Sequence, residues 1–148
     1  MKALILALLA GCAVPQTDCR TTDTIEVVEG ICVEAPSTVE FPIVDTAPLA
    51  RQTERALSLA ARVWGLEPGA LTGWTVRYQR GWLACGTTWT YGCAFPAARL
   101  IVAAPGPSGC AAGVLIHEVG HALIGDMAHA DPRWTEADAL ESQPCEPK

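Results

Sequence analysis

The chain has 148 residues, half of them apolar, and its 16 acidic and 10 basic side chains give a formal net charge of −6. This length suits one domain with a tethering segment. An acidic surface argues against nucleic acid as a partner, because nucleic-acid-binding faces are basic. We therefore expect a single domain, most simply a monomer, whose partner is not DNA or RNA.

The first residues predict export. Lys2 is followed by an apolar run and then by Leu9-Ala10-Gly11-Cys12, which is typical of a signal peptide and too short to anchor a mature chain. The ending resembles the bacterial lipoprotein box. That resemblance implies cleavage after residue 11, a lipid on Cys12 that anchors the protein to a membrane, and a location in the bacterial cell envelope. Because Ala13 stands where an Asp would favour inner-membrane retention, the outer membrane or cell surface is favoured. The alternative is an ordinary signal peptide with a chance cysteine.

Six cysteines remain after Cys12, an even number that predicts three disulfides in an exported chain. Of the 15 possible connectivities, we favour Cys19–Cys32, Cys85–Cys93 and Cys110–Cys145, because the first two close short loops. Zinc binding by cysteines is less favoured, since the sequence contains no Cys-x-x-Cys pair.

Composition divides the remaining chain into a tether and a domain. Residues 12–45 are rich in Thr, Glu, Val and Pro and predict a lipidated tether, with a small disulfide-closed hairpin as an alternative near residues 25–33. The domain is expected to span residues 46–148. Its first helix is capped by Asp45 or Thr46, has Pro48 in its first turn, and ends at Gly65.

A β-rich region follows that helix. Trp74, Val76 and Tyr78 alternate with polar residues, which predicts a half-buried strand. Residues 82–90 predict a second strand with a bulge near Gly86, and residues 99–103 predict a third, more buried strand. Together they predict a small, mostly antiparallel sheet. The tryptophans in this region, at positions 74, 82 and 89, are expected in the core, with a substrate cleft as the less favoured alternative.

The most informative segment is the apolar run from Ala111 to Ile124, which predicts a helix and contains His117-Glu118-Val119-Gly120-His121. Residues four apart share a helix face, so His117 and His121 can aim at one point, whereas Glu118 lies about 100° around the axis. A helix that is apolar all round is buried, and burying these polar groups without partners costs several kcal/mol. A divalent cation would remove that cost. The alternative is that this five-residue pattern occurs by chance and that its histidines are hydrogen-bonded core residues without a metal.

Flanking residues complete the predicted helices. Gly113 and Gly120 lie on one side of the motif helix and would let a neighbouring element approach closely. Gly125 is expected to end this helix, and a last short helix is expected from Asp131-Pro132 to about Ser142. Asp131 is interpreted mainly as a cap, with a role as acceptor for a ligand histidine as the alternative.

This order of elements resembles the catalytic half of the zincin metallopeptidases, from about residue 46 to residue 140, and its specific part runs from His117 to His129. The nearest pattern is that of the metzincins, in which x-x-Gly-x-x-His follows the pentad. In this chain the Gly is the fourth residue after His121 and the next His is the eighth, so the spacing departs from the family. The resemblance implies a disulfide-stapled, minimal zincin-like α+β domain that binds Zn²⁺, with Glu118 as the general base.

The third metal ligand is less strongly indicated than the first two. His129 is preferred, because the chain can double back after the helix and imidazole is the commonest zinc ligand. Glu136 is the runner-up, since thermolysin-like zincins take a Glu from a later helix, and Asp126 comes third. Met127 is interpreted as a packing residue.

The resulting hypothesis is a small exported zinc metallopeptidase that cleaves peptide bonds in a protein or peptide substrate. Tyr78 and Tyr91 are candidates for a second electrophile. The alternative hypothesis is a non-enzymatic surface lipoprotein that uses a metal-binding, zincin-like fold to bind a partner. A third reading, a structural domain with a fortuitous pentad, predicts no stoichiometric metal.

Overall fold

The computed structural model describes residues 24–28, 30–35 and 49–143. The described chain is a mixed α+β fold, as predicted, with three α-helices and two sheets. The helices are α1 (Leu49–Trp64), α2 (Ala111–Leu123) and α3 (Trp134–Glu141). The strands are β1 (Thr24–Val28), β2 (Ile31–Glu34), β3 (Thr75–Tyr78), β4 (Leu83–Cys85), β5 (Thr88–Thr90), β6 (Gly92–Phe95) and β7 (Leu100–Ala103).

The main sheet has the strand order β1-β2-β3-β7-β6, and β4 pairs with β5 in a separate hairpin. β2, β3 and β7 run parallel, whereas β1 and β6 are antiparallel to their neighbours. The expectation of a mostly antiparallel sheet was therefore wrong for its centre. The physical reason is that α1 lies between β2 and β3 in the chain, and a connection of that length returns a strand in the parallel direction.

The β1–β2 hairpin belongs to this sheet, although it precedes residue 46, where the sequence predicted the domain to begin. Backbone pairing of Cys32 with Thr75 joins it to β3. The predicted tether thus includes a described segment that pairs with the central strands. Residues 1–23 and 36–48 lie outside the described residues. They contain the predicted signal peptide with Cys12, most of the predicted tether, and the predicted helix caps Asp45 and Thr46 with Pro48.

The β-rich region keeps the predicted alternation in β3 but differs in its second strand. Val76 and Tyr78 are buried in β3, as is Trp74 just before it. Residues 82–90 form a hairpin instead of one bulged strand, because Gly86 takes a φ of 61° and begins a two-residue turn between the paired Cys85 and Thr88.

Two tryptophans of this hairpin are not core residues, contrary to expectation. Trp82 is 58% exposed and Trp89 is 67% exposed, since the hairpin projects from the sheet and β5 has no buried residue. The interpretation of Met127 as a packing residue was also wrong, because 74% of its surface is exposed.

The Cys85–Cys93 disulfide was predicted correctly, and it ties β4 to the edge strand β6. Cys32 and Cys110 are also disulfide-bonded. Their predicted partners, Cys19 and Cys145, lie outside the described residues.

Helix α2 lies at the centre of the core, packed against α1, α3, β6 and β7. As its apolar sequence predicted, most of it is buried, including Val114, Leu115, Ile116 and Val119. Gly125, at a φ of 71°, follows its end as predicted. None of the described helices is both long and apolar enough to cross a membrane.

The expected close approaches at the two helix glycines are confirmed. A side-chain carbon on Gly113 would lie 2.5 Å from the carbonyl oxygen of Leu140 in α3. One on Gly120 would overlap the indole of Trp64 and come within 2.8 Å of that of Trp134. The absence of a side chain at these positions therefore sets how closely α1 and α3 pack on α2.

We predict that Gly113→Ala destabilises the protein by about 1–3 kcal/mol, because the added carbon meets the backbone of α3 and overpacks the contact. Urea unfolding followed by circular dichroism measures this change. At an unobstructed helix position the same substitution would stabilise by up to about 1 kcal/mol. A more stable variant would therefore contradict the close contact.

Candidate metal centre

The three histidines of the chain, its only ones, come together at the C-terminal half of α2. The Nε2 atom of His121 lies 3.1 Å from Nε2 of His117 and 3.1 Å from Nε2 of His129. Ligands about 2.0–2.1 Å from a tetrahedral zinc ion lie roughly 3.4 Å from one another. The three nitrogens are therefore spaced as ligands of one ion would be, and the group could hold a metal ion.

The approach of His129 depends on a short loop organised by Asp126. Its carboxylate accepts hydrogen bonds from the backbone N–H groups of Ala128, at 3.0 Å, and Asp131, at 2.9 Å. Within this loop His129 takes a φ of 54°, a left-handed conformation that is uncommon for residues other than glycine and that concentrates at functional positions. The loop returns the chain to α2, so that Nε2 of His129 reaches that of His121.

Trp134, at the start of α3, lies against all three histidine rings. Its ring stacks on that of His129, with centroids 4.0 Å apart and planes inclined by 15°. The centroids of His117 and His121 are 4.9 and 4.6 Å from it, and its Nε1–H donates to Asp126 at 3.1 Å. At 2% exposure Trp134 is a core residue, and it also supports the histidines.

Contacts from helix α1 hold α2 in place next to the histidine group. Nε1–H of Trp64 donates to the carbonyl oxygen of Ile116, 2.8 Å away, directly before His117. Trp64 also packs edge-on against Trp134, with centroids 4.6 Å apart. Arg133 donates to the carbonyl of Trp64 at the end of α1. These contacts join the three helices immediately beneath the site.

The other candidates for a third ligand do not join the histidine group. Glu136 is exposed on α3, and neither Glu136 nor Asp126 belongs to the groups of described residues that could hold a metal. The Asp126 carboxylate is instead engaged with the loop and with Trp134. Asp131 caps the turn before α3 by accepting the N–H of Arg133 and pairs with that side chain. In the described structure the carboxylates nearest His117 are those of Asp138 and Glu141 rather than that of Asp131.

Glu118 is buried beside the edge strand β6, and only 6% of its surface is exposed. A side-chain carbon on Gly92 would overlap its carboxylate and also Val114, so a glycine at this point of β6 makes room for Glu118. Burial raises the pKa of Glu118 to about 7, and nearby Glu141 adds to this, against the lowering by His117 and by a hydrogen bond from the Ala94 backbone. No local sequence pattern marks Gly92, because its contact with Glu118 joins elements that are separate in the chain.

The pKa values of His117 and His121 are shifted in opposite directions. Burial, followed by repulsion from His117 and His129, lowers the pKa of His121 to about 4. Burial also lowers the pKa of His117, but Glu141, Glu118 and Asp138 together raise it above its usual value. His121 therefore presents a neutral ring, as metal binding requires.

Neither tyrosine considered as an electrophile is placed beside the metal group by a described contact. Tyr78 is 2% exposed, its hydroxyl shares a 2.9 Å hydrogen bond with Thr53 in the core, and burial raises its pKa to about 12. Tyr91 is half-buried and packs against Trp82 with ring centroids 4.4 Å apart.

Comparison with protein-family models, with curated proteins and with solved structures finds no match.

We predict that His129→Ala weakens zinc binding by more than about 100-fold, because losing a ligand costs more than the 10–100-fold that loss of an outer-shell partner costs. Competition with a chromophoric chelator measures the affinity. Glu136→Gln is the matched control and should bind zinc like the unmodified protein. The opposite pattern, with Glu136→Gln impaired and His129→Ala unaffected, would make Glu136 the ligand.

Proposed function

We propose that this protein is a small, exported, zinc-dependent peptidase, anchored to the bacterial cell envelope through a lipid on Cys12. The observation that carries the proposal is the convergence of three histidine Nε2 atoms, 3.1 Å between neighbours, next to a buried Glu118 that is not one of them. Three imidazoles suit Zn²⁺ and leave a fourth position open for water or substrate, which is the arrangement of catalytic zinc sites.

The site is accessible from one side. His129 is exposed, whereas His117 and His121 are partly buried. A closed structural zinc site has four protein ligands, and no fourth ligand belongs to the histidine group among the described residues. This openness favours a catalytic ion over a purely structural one.

A bound zinc ion would supply Lewis acidity, lowering the pKa of water at the site and polarising a scissile carbonyl. Glu118 would then act as general base towards that water and return the proton to the leaving amine. Its environment suits the role, because a carboxylate whose pKa lies at about 7 can both accept and release a proton near neutral pH.

The edge strand β6 is the natural binding surface for an extended peptide. It is the last strand of the described sheet and carries Gly92, against which Glu118 packs. A peptide that adds a strand to this edge gains main-chain hydrogen bonds, and it would lie beside the proposed general base.

We predict that Glu118→Gln lowers the rate of peptide hydrolysis by about 10²–10⁴-fold, the usual contribution of a general base, while zinc stays bound. Cleavage of a generic unfolded protein substrate measures the rate, and metal analysis of the same sample measures the zinc. Glu136→Gln is again the control and should retain activity. A chelator should abolish cleavage, and added zinc should restore it.

Two results would contradict the proposal. Loss of zinc in Glu118→Gln would show that Glu118 holds the ion rather than serving as the base. Stoichiometric zinc without cleavage in the unmodified protein would favour the alternative, a surface lipoprotein that uses a metal-containing site to bind a partner.

A further inference from the structure

Helix α3 brings two carboxylates to the far side of the His117 ring. Oε2 of Glu141 lies 3.0 Å from Nδ1 of His117, and Oδ1 of Asp138 lies 3.1 Å from the same atom. The other ring nitrogen, Nε2, is the one that faces His121. The carboxylates therefore approach His117 at the nitrogen that is not directed towards the other histidines.

The placement of Glu141 is fixed by backbone contacts between α2 and α3. Because Gly113 has no side chain, the backbone at Leu140 and Glu141 can lie directly on α2. Oγ of Ser108, just before α2, donates a 3.1 Å hydrogen bond to the carbonyl oxygen of Glu141. Asp138 is one turn earlier on the same helix face, so both carboxylates are held by packing of the two helices.

The two carboxylates differ in their contact with solvent. The Glu141 side chain is 32% exposed and that of Asp138 is 55% exposed, next to a His117 side chain that is 13% exposed. Solvent screens an exposed charge more than a half-buried one. Glu141 is therefore the stronger of the two partners.

A histidine that binds a cation through Nε2 carries its proton on Nδ1, and a carboxylate at that proton fixes the tautomer and orientation of the ring and makes Nε2 more basic. Nδ1 of His117 is buried and makes no hydrogen bond of good geometry among the described residues. The carboxylates of Glu141 and Asp138 lie within ion-pair distance of this nitrogen. We propose that Glu141, assisted by Asp138, is a positioning residue that holds His117 for the metal. This inference rests on the proposed metal site but not on peptide hydrolysis.

The same atoms allow a competing arrangement. Nδ1 of His117 and the two carboxylates form a second group that could itself hold a cation. A nitrogen that carries a proton cannot also ligate an ion, so the two arrangements exclude each other at Nδ1. The number of ions bound separates them.

The experiment compares zinc affinity and stoichiometry, by chelator competition on the mature protein, among Glu141→Gln, Asp138→Asn and the double variant. Gln and Asn preserve size and remove the charge. We expect Glu141→Gln to weaken zinc binding by about 10–100-fold, Asp138→Asn to weaken it less, and the double variant to be weakest. Glu136→Gln, an exposed Glu-to-Gln change on the same helix, should match the unmodified protein.

A second measurement shows directly which nitrogen of the His117 ring carries the proton. Because the chain has only three histidines, nitrogen NMR of the zinc-loaded protein can assign each tautomer, and we expect His117 to carry its proton on Nδ1. Unchanged zinc affinity in the double variant, or a His117 proton on Nε2, would overturn the inference. Two zinc ions in the unmodified protein and one in Glu141→Gln would assign these carboxylates to a second ion instead.

The outcomes also separate this inference from the proposed function. If the unmodified protein binds one zinc ion and cleaves peptide while the double variant binds zinc equally well, only the positioning role fails. If the unmodified protein binds no zinc, both proposals fail.

Discussion

The packing of Trp134 beneath the three imidazoles is the contact on which the rest of the site depends. Its indole stacks on His129 at 4.0 Å, touches the rings of His117 and His121, and is 2% exposed. Trp64 meets it from α1, and the missing side chain at Gly120 lets both indoles reach α2. Because protein interiors are close-packed and resist small displacements, this arrangement holds the imidazoles at ligand spacing as a property of the fold. A site organised in this way needs little rearrangement to bind an ion.

The charges around the histidines follow from the same packing. The short loop that carries His129 is closed by Asp126, while α3, placed by its contact with Gly113, brings Glu141 to His117. Glu118 is directed to the other neighbour of α2, the edge strand, where Gly92 leaves room for its carboxylate. Carboxylates thus surround the histidine group without joining it. This distribution separates binding of a cation from transfer of a proton, as the proposed chemistry requires.

Much of the fold and half of the site could be predicted from local patterns. The helical spacing of apolar residues in α1 and α2, the glycine after each of these helices, and the face shared by His117 and His121 all lie within a few turns of chain. The direction of the strands and the exposure of the tryptophans were harder to predict from sequence. The parallel pairing of β2 with β3 and the exposed position of Trp82 both depend on elements distant in sequence. The supporting residues were missed for the same reason. Asp126 was weighed as a possible ligand, but only tertiary structure shows that it closes the loop that carries His129. Likewise, only tertiary structure brings Glu141 to Nδ1 of His117.

X-ray absorption spectroscopy of the zinc-loaded mature protein tests the coordination by three histidines most directly. The account predicts four nitrogen or oxygen scatterers at about 2.0–2.1 Å from the ion, with the outer-shell scattering of three imidazole rings. A sulfur scatterer near about 2.3 Å, or only two imidazoles, would contradict it.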